Sequence, residues 1–272
     1  MKIARKHFAE YLLLAAVTIV SILGFWDLYF GSEADPQPHH HLHLVTVAAW
    51  LFFLLFQLNS VARGDFKAHR KNGIGVLLMA SIVVAAVAFL SVLSAQRAIG
   101  LGRPDELLVQ NVMVSLQFGL LIVLAFLFRK RREIHGSLMF STLLLFGGIA
   151  LFFALLSFVP MFRIEGPETF YRFGAAATTG LSVCIGVAVL LFLSAPRTRW
   201  PYLLAAGCFV LNDAINELLI RFDLSYPATE VIGSLNPILT FIAAFVILFA
   251  LLALLVSPVG KRSKAHDRRV NS

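Results

Sequence analysis

Two groups of residues in this sequence have the types and spacing to do chemistry. The first is Asn212-Asp213, Asn216-Glu217 and Arg221, set inside an otherwise apolar run. On a helix Asp213, Glu217 and Arg221 stack along one face, one turn apart. Glu217 and Arg221 can then pair, which leaves Asp213 a turn deeper beside a second carboxylate. Neighbouring carboxylates in low dielectric rarely both ionise, so a cation, a proton or a basic partner is expected there. The second group is Pro38-His39-His40-His41-Leu42-His43. Pro38 suits the first position of a helix. His39 and His43 then lie one turn apart, the spacing of a two-histidine metal clamp, although the glutamate of an H-E-x-x-H motif is absent. Heptad steps from His43 reach Trp50 and Gln57, a polar and aromatic stripe on the same helix.

These residues sit in a chain that water does not accommodate. Of 272 residues, 59% are hydrophobic and only 14% charged, and the mean hydropathy is +0.83. A soluble domain carries about 25% charged residues, so a soluble enzyme, a disordered chain and a fibrous protein are excluded. A bilayer core of about 30 Å needs about 20 apolar residues per helix. Eight runs qualify: 8–30, 42–62, 73–95, 107–128, 137–160, 173–194, 202–222 and 232–256. They are continuous rather than alternating, which predicts an all-α polytopic bundle and not a barrel. Breakers separate them, including Gly166-Pro167, Pro196 to Pro201, and Pro227, and Asn236-Pro237 predicts a kink in the last span. The single transmembrane domain covers 1–260, followed by a basic tail over 261–272.

Charge gives the orientation. The net charge is +8, and most of the basic residues fall in alternate loops: Lys2, Arg5 and Lys6; Arg63 to Lys71; Arg129 to Arg132; Arg197 and Arg199; Lys261 to Arg269. Positive charge stays cytoplasmic, so both termini are placed in the cytoplasm of a bacterial inner membrane. The excess therefore points to no nucleic-acid partner. The lipid bilayer is the expected partner, with a membrane protein or a second copy as a further one. The opposite loops are acidic (Glu33, Asp35, Asp105, Glu106, Glu165, Glu168, Asp223 and Glu230). Met1–His7 followed by an uninterrupted apolar run to Phe30 is expected to be a retained span rather than a cleaved signal.

The orientation gathers His39, His43, Asp27, Asn111, Asp213, Asn216, Glu217 and Asn236 into the outer half of the bundle. A histidine–carboxylate centre there, with His39 and His43 as ligands and Asp213 or Glu217 completing it, would take Zn, Cu or Fe and support binding or redox chemistry. The alternatives are a proton- or cation-coupled small-molecule transporter, its path lined by Gln57, Asn111 and Asn216, or a non-catalytic subunit of a membrane complex. On the cytoplasmic side His69 and His135 open two spans. Two same-side histidines are candidate ligands for haem b, with Met79 or Met139 nearby; the competing role is an interfacial cation. Cys184 and Cys208 lie in apolar runs without metal spacing and are expected to be small buried hydrophobes. Gln57 and Gln117 are expected to bond between helices rather than to serve a site, and Thr178-Thr179-Gly180 to allow close helix packing.

Gly24-Phe25-Trp26 with Tyr29, His41-Leu42-His43, Trp50, Gln57, His69-Arg70 with Gly73, and His135 with Leu138-Met139 together resemble a family of uncharacterised bacterial multi-spanning membrane proteins. The resemblance covers about the first 160 residues. It implies that His43, Gln57, His69, Arg70 and His135 are the positions to follow, with haem or a metal as what such histidines would hold. That family has no settled activity, so the resemblance implies positions and no mechanism.

Overall fold

The computed structural model of the protein describes residues 7–32 and 34–257. Glu33, the basic residues Lys2, Arg5 and Lys6, and the tail with Lys261, Arg262, Lys264, Arg268 and Arg269 lie outside the described residues.

Hydrocarbon offers the backbone no hydrogen-bond partner, so apolar runs of this length satisfy themselves as helices. The described residues contain helices and no strand. In chain order the α-helices are α1 (Phe8–Gly24), α2 (Trp26–Phe30), α3 (Pro38–Ala62), α4 (Phe66–Gly73), α5 (Gly75–Gly100), α6 (Leu108–Leu127), α7 (Arg132–Phe158), α8 (Tyr171–Ser194), α9 (Pro196–Arg221), α10 (Ser225–Gly233) and α11 (Pro237–Val256). Seven of them, α3, α5–α9 and α11, are long and apolar enough to cross a membrane. The chain is a multi-pass helical membrane protein. α1 is apolar too, but its 17 residues fall short of the length of the others.

Local chemistry sets the ends. Pro38, Pro196 and Pro237 each occupy a first helical turn, where a missing N–H costs nothing. The backbone N–H of Gln37 donates to His40 Nδ1 at 3.0 Å, so one histidine of the cluster is occupied in capping α3. Asp65 caps α4 by accepting from the Ala68 N–H at 2.9 Å. Asn236 does the same for α11, accepting from the Leu239 N–H at 3.1 Å.

Three expectations are corrected here. The Asn236-Pro237 kink is a helix start, and the stretch before it forms the separate helix α10. The separator from Pro196 to Pro201 is helical: Pro201 lies inside α9, where it removes one backbone bond without ending the helix. The basic segment read as a plain loop contains α4, a short polar helix with no buried residue.

α7 lies at the centre, packed by α1, α6, α8 and α9; α5 is a second hub, contacting α3, α6, α10 and α11. Small residues let the backbones approach. A Cβ on Gly24 of α1 would lie 2.5 Å from the Ala150 carbonyl oxygen of α7. One on Gly180 of α8 would lie 3.4 Å from the Gly148 carbonyl oxygen of α7, the close packing expected around Thr178 to Gly180. Trp50 is fully buried against Phe118, ring centres 5.0 Å apart, and its indole N–H donates to Thr142 Oγ1 on α7 at 3.1 Å. The stripe from His43 through Trp50 to Gln57 therefore turns inward. Cys184 and Cys208 are free and buried.

Antiparallel helices collect alternate loops at the same end. Arg63 to Lys71, Arg129 to Arg132, Arg197 and Arg199 share one end of the bundle, hereafter the basic end. There Arg199 of α9 meets Glu10 of α1 at 2.8 Å, with side chains only 17% and 16% exposed. Leaving either charge without its partner is expected to cost about 3 kcal/mol. Arg199→Leu should therefore lower the unfolding temperature in detergent, and Glu10→Leu added to it should restore most of the loss. Equal melting of the single and double variants would contradict this.

Candidate functional site

The acids of α9 line a cavity of about 440 Å³ between α6, α7, α8 and α9, at the end opposite the basic one. Asp213 and Glu217 lie eight and four residues before Arg221, the last residue of α9. At 1.5 Å per residue, they stand about 12 and 6 Å from that end. Glu106, just before α6, contributes a third carboxylate. The walls are aromatic, with Phe152 from α7, Phe170, Tyr171 and Phe173 at the start of α8, and Phe209 from α9. Gly148 lets the Phe209 ring approach α7, where a Cβ would lie 2.9 Å from it, and Gly174 leaves open space on α8. Among the described residues no lysine, arginine or histidine lines the cavity. A smaller one of about 240 Å³ adjoins it, sharing Glu106 and Asn216 and adding Asp105 and Asp223. One oxygen of Asp105, Oδ2, is buried without a hydrogen-bond partner.

Asn212 forms part of the polar floor. It is buried and exchanges hydrogen bonds with Gln117 of α6: the Gln117 amide donates to Asn212 Oδ1, and the Asn212 amide donates to Gln117 Oε1 at 3.2 Å. Gln117 is thus the interhelical bond expected of it. Asp213 and Glu217, by contrast, are exposed to the cavity and make no hydrogen bond or ion pair among the described residues. The anticipated Glu217–Arg221 pair is not formed. The ion pairs present among the described residues are Glu10–Arg199 and Glu165–Arg172.

His39 and His43 stand apart from these carboxylates. They lie on α3, whose neighbours are α1, α4, α5 and α7, whereas α9 packs on α6, α7, α8 and α10. The His43 ring lies 5.9 Å from that of Phe25. The His39 ring centre lies 4.1 Å from that of His40, the planes tilted at 54°, and His41 Nδ1 is 3.2 Å from the Tyr29 hydroxyl. Among the described residues no three of His, Cys, Asp and Glu come together as a metal-holding group. The outer layer expected from orientation is therefore spread around the bundle, because sharing a depth does not make helices neighbours.

The basic end carries a second constellation. α4 brings His69 to His135 of α7, with ring centres 6.3 Å apart and planes at 79°. His135 Nδ1 is 2.8 Å from the Ala125 carbonyl oxygen, a contact that requires a proton on Nδ1. With its amide nitrogen toward α4, Gln57 donates to His69 Nδ1 while its oxygen accepts from the Gly73 N–H at 3.3 Å. Half-burial between the helices, and then the nearby His135, hold the His69 imidazole below its ordinary range. Gln57, His69 and His135 thus meet at one place, while His43 is at the far end. Arg70 turns back on its own helix, its Nε donating to the Phe66 carbonyl at 3.2 Å.

Sequence reasoning singled out Asp213, Glu217 and Asn216 but not Glu106 or the aromatic wall as site residues. The acid was visible as part of an acidic loop. The phenylalanines are indistinguishable in sequence from the many others that face lipid or core. Comparison with family models, with curated proteins and with solved structures gave no match.

Proposed function

We propose that the protein is a carrier of small organic cations, coupled to protons or cations. Our reading places eight spans in a bacterial inner membrane with both termini in the cytoplasm. The charge sorting between alternate loops supports that orientation.

The observation that carries the function is the acid-rimmed, aromatic-walled cavity. Its size falls within the range of about 300–1,000 Å³ that suits small molecules. Carboxylates at membrane depth without an internal partner call for water or a cation, and aromatic faces attract an alkylammonium group. The acids are spread around the wall rather than converged on one point, which favours a bulky cation over a bare metal ion. The companion carboxylates Asp105 and Asp223 extend the negative field toward the solvent and raise the local concentration of cations.

Uptake into proteoliposomes tests the carrier reading, with radiolabelled choline as the probe. Accumulation that responds to an imposed pH gradient and saturates is expected. Uptake no faster than in protein-free liposomes would overturn transport. If choline still bound, a binding subunit would be the better description.

A further inference from the structure

The acidic cavity is a slot rather than a bowl. Phe209, Asn212, Asp213, Asn216, Glu217 and Ile220 line it from α9, at steps of three and one residues that hold one helix face. At 1.5 Å per residue that stripe is about 16 Å long. Gly174, Ala177, Thr178 and Leu181 give α8 a stripe of the same kind, uncharged, along the same cavity. One wall thus carries carboxylates and amides in a row, while the other is small and mostly apolar. The smaller cavity prolongs the slot past the end of α9, where Asp223 stands at a backbone φ of +54° and Asp105 Oδ2 is buried without a hydrogen-bond partner. Among the described residues no basic side chain lines either cavity.

We propose, resting on the carrier reading above, that the cation this slot prefers is a linear di- or polyammonium ion lying along α9. Asp213 and Glu217 are one turn apart, about 6 Å along the axis. With bonds of about 1.5 Å, the two ammonium groups of an extended four-carbon diamine also stand about 6 Å apart. One group then meets Asp213 and the other Glu217, each through a charge-assisted hydrogen bond. The methylenes between them lie against the uncharged α8 wall and the Phe152 ring of α7. A longer polyamine reaches Glu106, which both cavities share, and then Asp105 and Asp223. Choline meets one carboxylate and covers only part of the length. A compact divalent metal ion draws its oxygen ligands to one point at about 2.0–2.6 Å, which carboxylates strung over a helix turn do not offer.

Isothermal titration of the full-length protein in detergent compares 1,4-diaminobutane with 1-aminobutane, the same chain with one charge fewer. The wild type is expected to bind the diamine at least about tenfold more tightly. Asp213→Asn and Glu217→Gln should each collapse the difference between the two amines, because each removes one of the two anchoring charges. Asp223→Asn should weaken spermidine more than 1,4-diaminobutane, since only the longer chain reaches the adjoining cavity. Magnesium ion, equal in charge to the diamine, should not displace it at equal concentration. Equal affinity of the wild type for the two four-carbon amines, with choline still bound, would overturn the proposal and leave the carrier reading in place. A protein that binds none of these cations, choline included, would remove both. Displacement by magnesium would overturn the proposal as well, because the slot would then respond to charge without length.

Discussion

Replacing Asp213 by Asn is expected to weaken choline binding about 10- to 100-fold, with no change in folding. A unit charge 4 Å from a carboxylate gains about 4 kcal/mol at an effective dielectric near 20, and partial exposure to water reduces that to about 1.4–2.7 kcal/mol. The fold is spared because Asp213 holds no structural contact; its carboxylate has neither a hydrogen bond nor an ion pair among the described residues. Glu217→Gln should have a similar effect, and the double variant should abolish measurable binding. Equilibrium binding to the detergent-solubilised protein gives the affinities, and thermal melting of the same samples checks the fold. Wild-type affinity in the double variant would remove the cavity carboxylates from the account.

Gly24→Val should have the largest structural effect. The new Cβ would fall 2.5 Å from the Ala150 carbonyl oxygen, which is backbone and cannot rotate away. Either α1 retreats from α7 or the helix bends, and both lose packing along the seam where Val17 faces Gly147. Overpacking of this kind costs about 3 kcal/mol or more, enough to leave little monodisperse protein after extraction. Gly136→Ala in α7 is the matched control. No atom lies within 4 Å of its added Cβ, and replacing a helical glycine by alanine stabilises by up to about 1 kcal/mol. Similar melting temperatures for Gly24→Val and wild type would contradict the close α1–α7 crossing.

The two variants separate what the sequence makes legible from what it does not. Hydropathy alone located the long helices, because each must span a fixed apolar thickness. It missed α4 and α10, which are short and polar enough to resemble loops. It also misplaced the last span, whose start is decided by Asn236 capping and Pro237 rather than by apolar character. Asp213 and Glu217 stood out as acids in an apolar run, and their depth followed from counting residues. Their partners did not follow, since lateral helix order depends on packing between residues far apart in sequence. That is why His39 and His43 share a depth with the acids and yet lie on a helix that does not pack against theirs. The same ignorance hid the place of Gln57 beside His69, although His69 and His135 had already been paired as histidines on the same side. The pairing of Glu10 with Arg199, 189 residues away, was hidden for the same reason.

The most direct test of the central claim compares two molecules of one shape. Choline and its uncharged carbon isostere, 3,3-dimethylbutan-1-ol, differ at the quaternary centre in charge alone. If the carboxylates around the cavity select organic cations, the purified protein will bind choline at least about tenfold more tightly, and added salt will narrow the gap. Equal affinity for the two, unaffected by salt, would mean that the cavity recognises shape without charge, and the account of its acids would fail.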